Sequence, residues 1–390
     1  MKLSIGFLFL VVAFESLGLP YGRNVAFYFT LLISLILFVT NIHRNRNIQF
    51  PKKIFILFAI FFAFSLASVL TSVNVGKSVG YFIFYVCSFI ILLYTYNNRE
   101  KLEKIIIFLI LTFSTIFSIY SLALTSFLVK VLPGLLPVHG YQLVFSRFGS
   151  HNHLGDFLIL ALTACFYYIL QSKKHLIFPV LLIFFFLPYF LFSFSRSAYI
   201  SLLVTLVVMI VVFIKNHSLK LTFASTSVLL FTFILSLLFF FSTNTPLARQ
   251  GVFKETNDVL VKKNDLRHKS LLGGRPQILT QGLSYILERP LLGAGPGNFI
   301  YASQKLRNGS YTETAHNIFV DILVENGIPA GVVFLLIIIE FFRRSDKKLP
   351  FFLALGLLVN FQTDYTYRIY SLFLLFFIIL GLFKIQRKQS

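Results

Sequence analysis

Two cysteines in 390 residues leave no material for a disulfide framework, and charged residues make up only 13% of the chain. Cys87 and Cys165 fall in separate apolar runs, which reads as two buried small hydrophobes and excludes a cysteine-built metal cluster. Tryptophan is absent, while Phe occurs 50 times. There is no soluble domain, no repeat with a period of about 20–50 residues and no low-complexity tail. The first apolar run, residues 3–17, has a weak basic n-region and lacks a clear small-residue cleavage site. It is therefore expected to be a retained span rather than a secretory signal.

What is abundant is apolar sequence. Hydrophobic residues make up 57% of the chain, too many for a soluble globular protein. Runs of about 17–25 apolar residues recur, each long enough for a hydrocarbon core of about 30 Å. Only helices satisfy their own backbone polar groups inside such runs. The expected fold is thus an all-α polytopic membrane protein with about twelve transmembrane helices. The spans fall near 3–18, 25–41, 54–70, 79–96, 105–128, 155–171, 176–192, 198–214, 221–241, 317–341, 350–362 and 369–384. The expected division is 1–241 for the first nine spans, 242–316 for one long outer-face loop containing short helices, and 317–390 for the last three. Together they form one integrated membrane domain.

The formal net charge of +21 raises nucleic acid as a partner, but its distribution argues against one. Basic clusters recur in every second loop: Arg44, Arg46, Lys52 and Lys53; Arg99, Lys101 and Lys104; Lys173 and Lys174; Lys215 and Lys220; Arg343, Arg344, Lys347 and Lys348; Lys384, Arg387 and Lys388. This is the positive-inside pattern. It assigns those loops and both termini to the cytoplasm and accounts for the basicity, together with attraction to anionic membrane lipids. The opposite loops carry few cations, among them Arg23, Lys77, Lys130, Arg147, Arg196 and Arg368. The polar stretch from Ser242 to His316 then lies on the outer face.

Four places hold polar groups with chemical potential. The apolar stretch 176–214 is about two spans long and must fold back near Ser193-Phe194-Ser195-Arg196-Ser197. An arginine there either snorkels at the boundary or faces a polar cavity or anion. Gly273-Gly274-Arg275-Pro276 opens a helix that runs to about Glu288, because Pro suits the first helical turn and Arg289-Pro290 ends it. Its apolar stripe, Ile278, Leu279, Gly282, Leu283, Ile286 and Leu287, is expected to lie against the bundle. Arg275 at that N-terminus is either a solvated surface charge or an anion contact. Gly293-Ala294-Gly295-Pro296-Gly297-Asn298 lacks the Lys-Ser/Thr of a phosphate-binding loop and reads as a tight turn returning the chain to the bundle.

His316 and Asn317 open the tenth span. A neutral imidazole is a natural general base for a hydroxyl near neutral pH, and equally a structural interface residue. Asp321 and Glu325 follow within the span, where acids face a cavity or partner. Glu325-Asn326-Gly327-Ile328-Pro329 should kink the helix, with Glu325 available to the freed backbone groups. His151-Asn152-His153 lacks the further ligands that a metal site needs. Arg147, just before it, is another potential anion contact.

Taken in order, these residues resemble the O-antigen ligase and polymerase family of bacterial envelope glycosyltransferases. The resemblance rests on Arg147-x-x-Gly149 leading to Asn152-x-Leu154-Gly155, Ser195-Arg196-Ser197, Gly274-Arg275 leading to Pro290-Leu-Leu-Gly-Ala-Gly295, and His316-Asn317 leading to Glu325-Asn326-Gly327. It covers roughly 145–335. It implies a GT-C-like enzyme of the bacterial inner membrane with no cofactor and no catalytic metal. Such an enzyme moves a glycan from undecaprenyl diphosphate on the periplasmic face. Ligases deliver it to a lipid A–core hydroxyl, and polymerases to another lipid-linked glycan. By motif, Arg196 and Arg275 would hold the diphosphate and His316 would activate or orient the acceptor. Arg147, Asn152 and Asn317 would complete the substrate contacts, with Glu325 in support. Asp321 falls outside the family pattern. Ligase is the reading favoured, with polymerase as the alternative. A polysaccharide transporter or flippase ranks below both, because the Gly/Pro breaks concentrate in one half instead of pairing across two.

Overall fold

The computed structural model describes residues 22–44, 49–131, 151–171, 176–193, 195–216, 275–306 and 312–385. Among them the regular structure is helical, with one isolated bridge between Ser345 and Ile385. In chain order the helices are α1 (Gly22–Arg44), α2 (Lys52–Leu70), α3 (Val75–Asn97), α4 (Arg99–Val131), α5 (His151–Gln171), α6 (Ile177–Phe192), α7 (Arg196–Asn216), α8 (Arg275–Glu288), α9 (Phe299–Leu306), α10 (Ile318–Arg344), α11 (Leu349–Asn360) and α12 (Tyr370–Gly381). The expected spans 3–18 and 221–241 lie outside the described residues. Each of the others falls on a helix.

Among the described residues, six helices are long and apolar enough to cross a membrane: α2, α3, α4, α5, α7 and α10. Their outward faces carry exposed Phe55, Leu66, Leu203, Val207 and Leu335, as a lipid-facing surface requires. The protein is a polytopic membrane protein. α10 packs along α2, α12 along α3, and α5 against α6, α7 and α11. The buried core is dense in aromatic rings. Phe58 and Phe89 lie 4.5 Å apart, and Phe373 and Phe377 4.9 Å apart. Cys87 and Cys165 are both free and buried in this core, the role expected of them.

Chain direction sorts the loop residues to two ends of the bundle. Lys52, Arg99, Lys215, Arg343, Arg344 and Lys348 fall at one, the basic end. Arg196, Ile318, Asn360 and Tyr370 mark the other, the turn end. α11 and α12 have 12 residues each, about 18 Å at helical rise, which is less than one hydrocarbon core. The turn joining them is correspondingly buried within the bundle: Asp364 is 1% exposed, Thr366 0% and Arg368 8%. Polar groups at such depth persist only when packed in protein with partners.

Candidate functional site

α10 is broken near its start. Gly327 takes φ 83° and ψ 169°, and Pro329 follows within the helix. Pro329 has no N–H, so the Glu325 carbonyl has no helical donor. The Ile328 N–H, diverted by Gly327, no longer reaches Val324. The glycine-rich segment fills the gap with backbone. Ala294 N–H donates to Val324 O at 2.9 Å, and Gly295 N–H to Glu325 O at 2.8 Å. In return Ile328 N–H donates to Pro290 O at 2.8 Å, and the Ser68 hydroxyl donates to Glu325 O at 2.8 Å. Val324 O, Glu325 O and Ile328 N–H are thereby satisfied, as buried backbone demands. The close approach requires glycine. A Cβ on Gly293 would sit 2.4 Å from Val324 O, and one on Gly327 2.1 Å from Leu291 O. This is the turn anticipated for Gly293–Asn298, used as a plug.

The plug leaves the Glu325 side chain free to face inward. Its Oε1 accepts the Phe299 N–H at 3.0 Å, at the start of α9, and an ion pair from Arg368 Nη2. Asp321, one helical turn earlier, accepts Arg368 Nε at 3.0 Å, the Tyr367 hydroxyl at 2.7 Å and the Ala315 N–H at 2.6 Å. Both carboxylates are 1% exposed. Spacing of four residues puts them on one face, and one guanidinium serves both. The two carboxylates supply the counter-charge that a buried guanidinium requires. The group also lies over the Tyr81 and Tyr367 rings, at 5.3 and 5.7 Å. A narrow cleft lined by Tyr81, Tyr85, Tyr370 and Phe373 opens onto this cluster.

The 360–368 turn is the hub of the turn end. The Asn360 amide donates to Asp156 Oδ1 on α5 at 2.6 Å and accepts the Thr366 hydroxyl at 2.6 Å. Asp364 Oδ2 accepts the Ser197 hydroxyl of α7 at 3.0 Å, and the Ser197 and Ser195 hydroxyls lie 2.9 Å apart. Phe361 O accepts Ile318 N–H at 2.9 Å, and the Asn317 amide donates to Gln362 O at 3.2 Å. Helices α5, α7 and α10 are thus bolted to one short turn.

His316 stands at the mouth of α10, half-buried, with φ 55°. For a non-glycine residue that left-handed backbone costs on the order of 1–2 kcal/mol. Such conformations persist where surroundings enforce them and collect at functional sites. Its ring meets Tyr365 edge-on at 5.2 Å. Asn317 caps α10, accepting from Phe319 N–H at 3.1 Å and Val320 N–H at 3.2 Å, so the backbone occupies its side-chain oxygen. Arg196 is exposed at the start of α7, between two buried serines. Arg275 is the first residue of α8, and Asn152 lies in the first turn of α5. Arg147 and the 242–274 part of the long loop lie outside the described residues.

α8 lies against the first half of α10, with Gly282 facing Val320 and Val324. Its buried stripe is partly not the expected one. Tyr285 and Ile286 are buried, whereas Leu283 and Leu287 are 54% and 82% exposed. Sequence reasoning missed Arg368, Tyr367 and Asp364, counting Arg368 only as a charge of the short loops. A usable signal was present: two acids four apart in an apolar helix need a buried cation.

The fold and this site define a polytopic helical membrane protein with a buried acid–base cluster at one end of the bundle and a strained histidine at its edge. A family model described as O-antigen ligase matches residues 179–335, from α6 into α10. That segment of the chain is similar to the O-antigen ligase family. No curated protein matches the sequence.

Proposed function

We propose that the protein transfers a glycan from undecaprenyl diphosphate to a hydroxyl acceptor at the turn end, on the periplasmic face of the bacterial inner membrane. The carrying observation is His316. It is half-exposed, held in a costly backbone conformation, and lies in the segment matched by the O-antigen ligase model. The acceptor oxygen attacks the anomeric carbon as the bond to the diphosphate oxygen breaks. His316 takes the hydroxyl proton. Arg196 and Arg275 stabilise charge on the departing diphosphate, the interaction type that usually contributes most to catalysis. Arg147 and Asn152 are assigned to substrate contact as well, whereas Asn317 serves as the helix cap that fixes His316. Asp321 and Glu325, both bound to Arg368, hold the first half of α10 in place. They carry no step of the reaction. No cofactor or metal enters this scheme.

Ligation onto lipid A–core is the preferred reaction, with joining of lipid-linked repeat units as the alternative. The broken helix α10 is what a transporter reading would invoke, but backbone of the 290–295 segment fills the break, which argues for a rigid mount. Purified undecaprenyl-diphosphate glycan, supplied with and without lipid A–core, separates the reactions. Product only with the core acceptor supports ligation, and a ladder formed without it identifies a polymerase. No product under either condition, from protein that is inserted and folded, contradicts the proposal.

A further inference from the structure

Three half-buried aromatic rings meet at the mouth of the site, and neither the family match nor the motifs account for two of them. Tyr365 follows Asp364 in the hub turn. Its ring lies edge-on to His316 at 5.2 Å and edge-on to His153, in the first turn of α5, at 5.9 Å. The two imidazoles lie 163 residues apart in sequence (316 − 153), and the tyrosine ring touches both. Edge-to-face contact is the favoured arrangement for such rings.

The wedge is held from below. Tyr365 N–H donates to Asp364 Oδ1 at 2.6 Å, and Asp364 Oδ2 accepts from Ser197. Tyr365 O accepts Arg368 N–H at 2.8 Å, which joins it to the residue that clamps α10. The backbone of His316 is fixed by its own contacts, Thr314 Oγ1 accepting its N–H at 3.2 Å. The imidazole packs against the Tyr365 ring in a T-shaped contact, which restricts its rotation.

We propose that Tyr365 is the positioning residue for His316, with His153 as the opposite wall that keeps the tyrosine ring in place. The role belongs to the rings. The tyrosine hydroxyl and the His153 imidazole nitrogens take no part in the reaction. This rests on the proposed role of His316, and the test separates the two. Misorientation of a reacting group by about 1 Å costs up to about 100-fold in rate. Tyr365→Leu should therefore lower kcat about 10- to 100-fold with the donor KM unchanged. Tyr365→Phe should restore most of the rate, and His153→Phe should outperform His153→Ala.

A readout independent of activity is the imidazole resonance of His316 in histidine-labelled protein, assigned by its loss in His316→Ala. Lying against the Tyr365 ring, it should shift in Tyr365→Leu and stay in Tyr365→Phe. An unmoved resonance in Tyr365→Leu overturns the wedge, whatever the enzyme does. A Tyr365→Phe protein as slow as Tyr365→Leu, or a His153→Phe protein as slow as His153→Ala, overturns the restriction to ring shape. Full activity in His316→Ala instead overturns the function proposed for that histidine and leaves the resonance test of the wedge intact.

Discussion

Near its N-terminus α10 presents two carboxylates to one arginine; near its C-terminus it presents one carboxylate to three cations. Asp321 and Glu325 share Arg368, and all three are nearly inaccessible. At the basic end Glu340 receives Lys53 at 3.2 Å, Arg343 at 3.0 Å and Arg344, and the Lys53 and Arg343 side chains are 58% and 51% exposed. The same kinds of group thus do different work. The exposed cations at the basic end match the positive-inside pattern and cost little to rearrange. The buried triad has been desolvated at a cost of several kcal/mol per ion, and it braces a helix that has been deliberately broken. His316 stands at the mouth of the helix so braced.

The comparison can be broken by substitutions of graded severity. Arg368→Ala leaves two buried carboxylates without a cation and should cost about 3–5 kcal/mol, read as a large fall in the thermal midpoint of the purified protein. Adding Asp321→Asn and Glu325→Gln should recover much of the loss, since the uncompensated charge is then gone. Gly327→Ala comes next. Its Cβ meets the Leu291 carbonyl and the backbone is left-handed, so about 2–3 kcal/mol should be lost. His316→Gly should keep the midpoint or raise it, by relief of about 1 kcal/mol of backbone strain, while transfer disappears. Lys53→Ala should change stability by less than about 1 kcal/mol. A loss there equal to that of Arg368→Ala would erase the distinction between the two ends.

Much of the helical layout was legible from apolar run length, because backbone satisfaction in lipid leaves the chain few choices. The fold-back at Ser193–Ser197 and the helix opening at Arg275-Pro276 were legible for the same local reasons. The kink at Gly327 and Pro329 could be read, but not what fills it. The partner is the 290–295 segment, some 30 residues upstream, and nothing local to either piece points to the other. Likewise Asp321 and Glu325 signal a missing cation without naming Arg368, which lies beyond the next helix. His316 reads from sequence as a base or a structural interface residue, whereas its left-handed backbone and its contact with Tyr365 appear only in the fold. Pattern along the chain reveals which groups need partners; packing across the chain decides which partners they get.

On the proposed function, chemistry belongs to the turn end, and the basic end only orients and anchors the protein. The direct measurement is glycan transfer from purified undecaprenyl-diphosphate glycan by His316→Ala and Arg343→Ala proteins, each reconstituted at equal amounts with verified folding. Loss of a positioned general base typically costs about 100- to 10,000-fold. A fall of that size is expected for His316→Ala, and near wild-type transfer for Arg343→Ala. Transfer retained by His316→Ala, or lost equally in both, would contradict it.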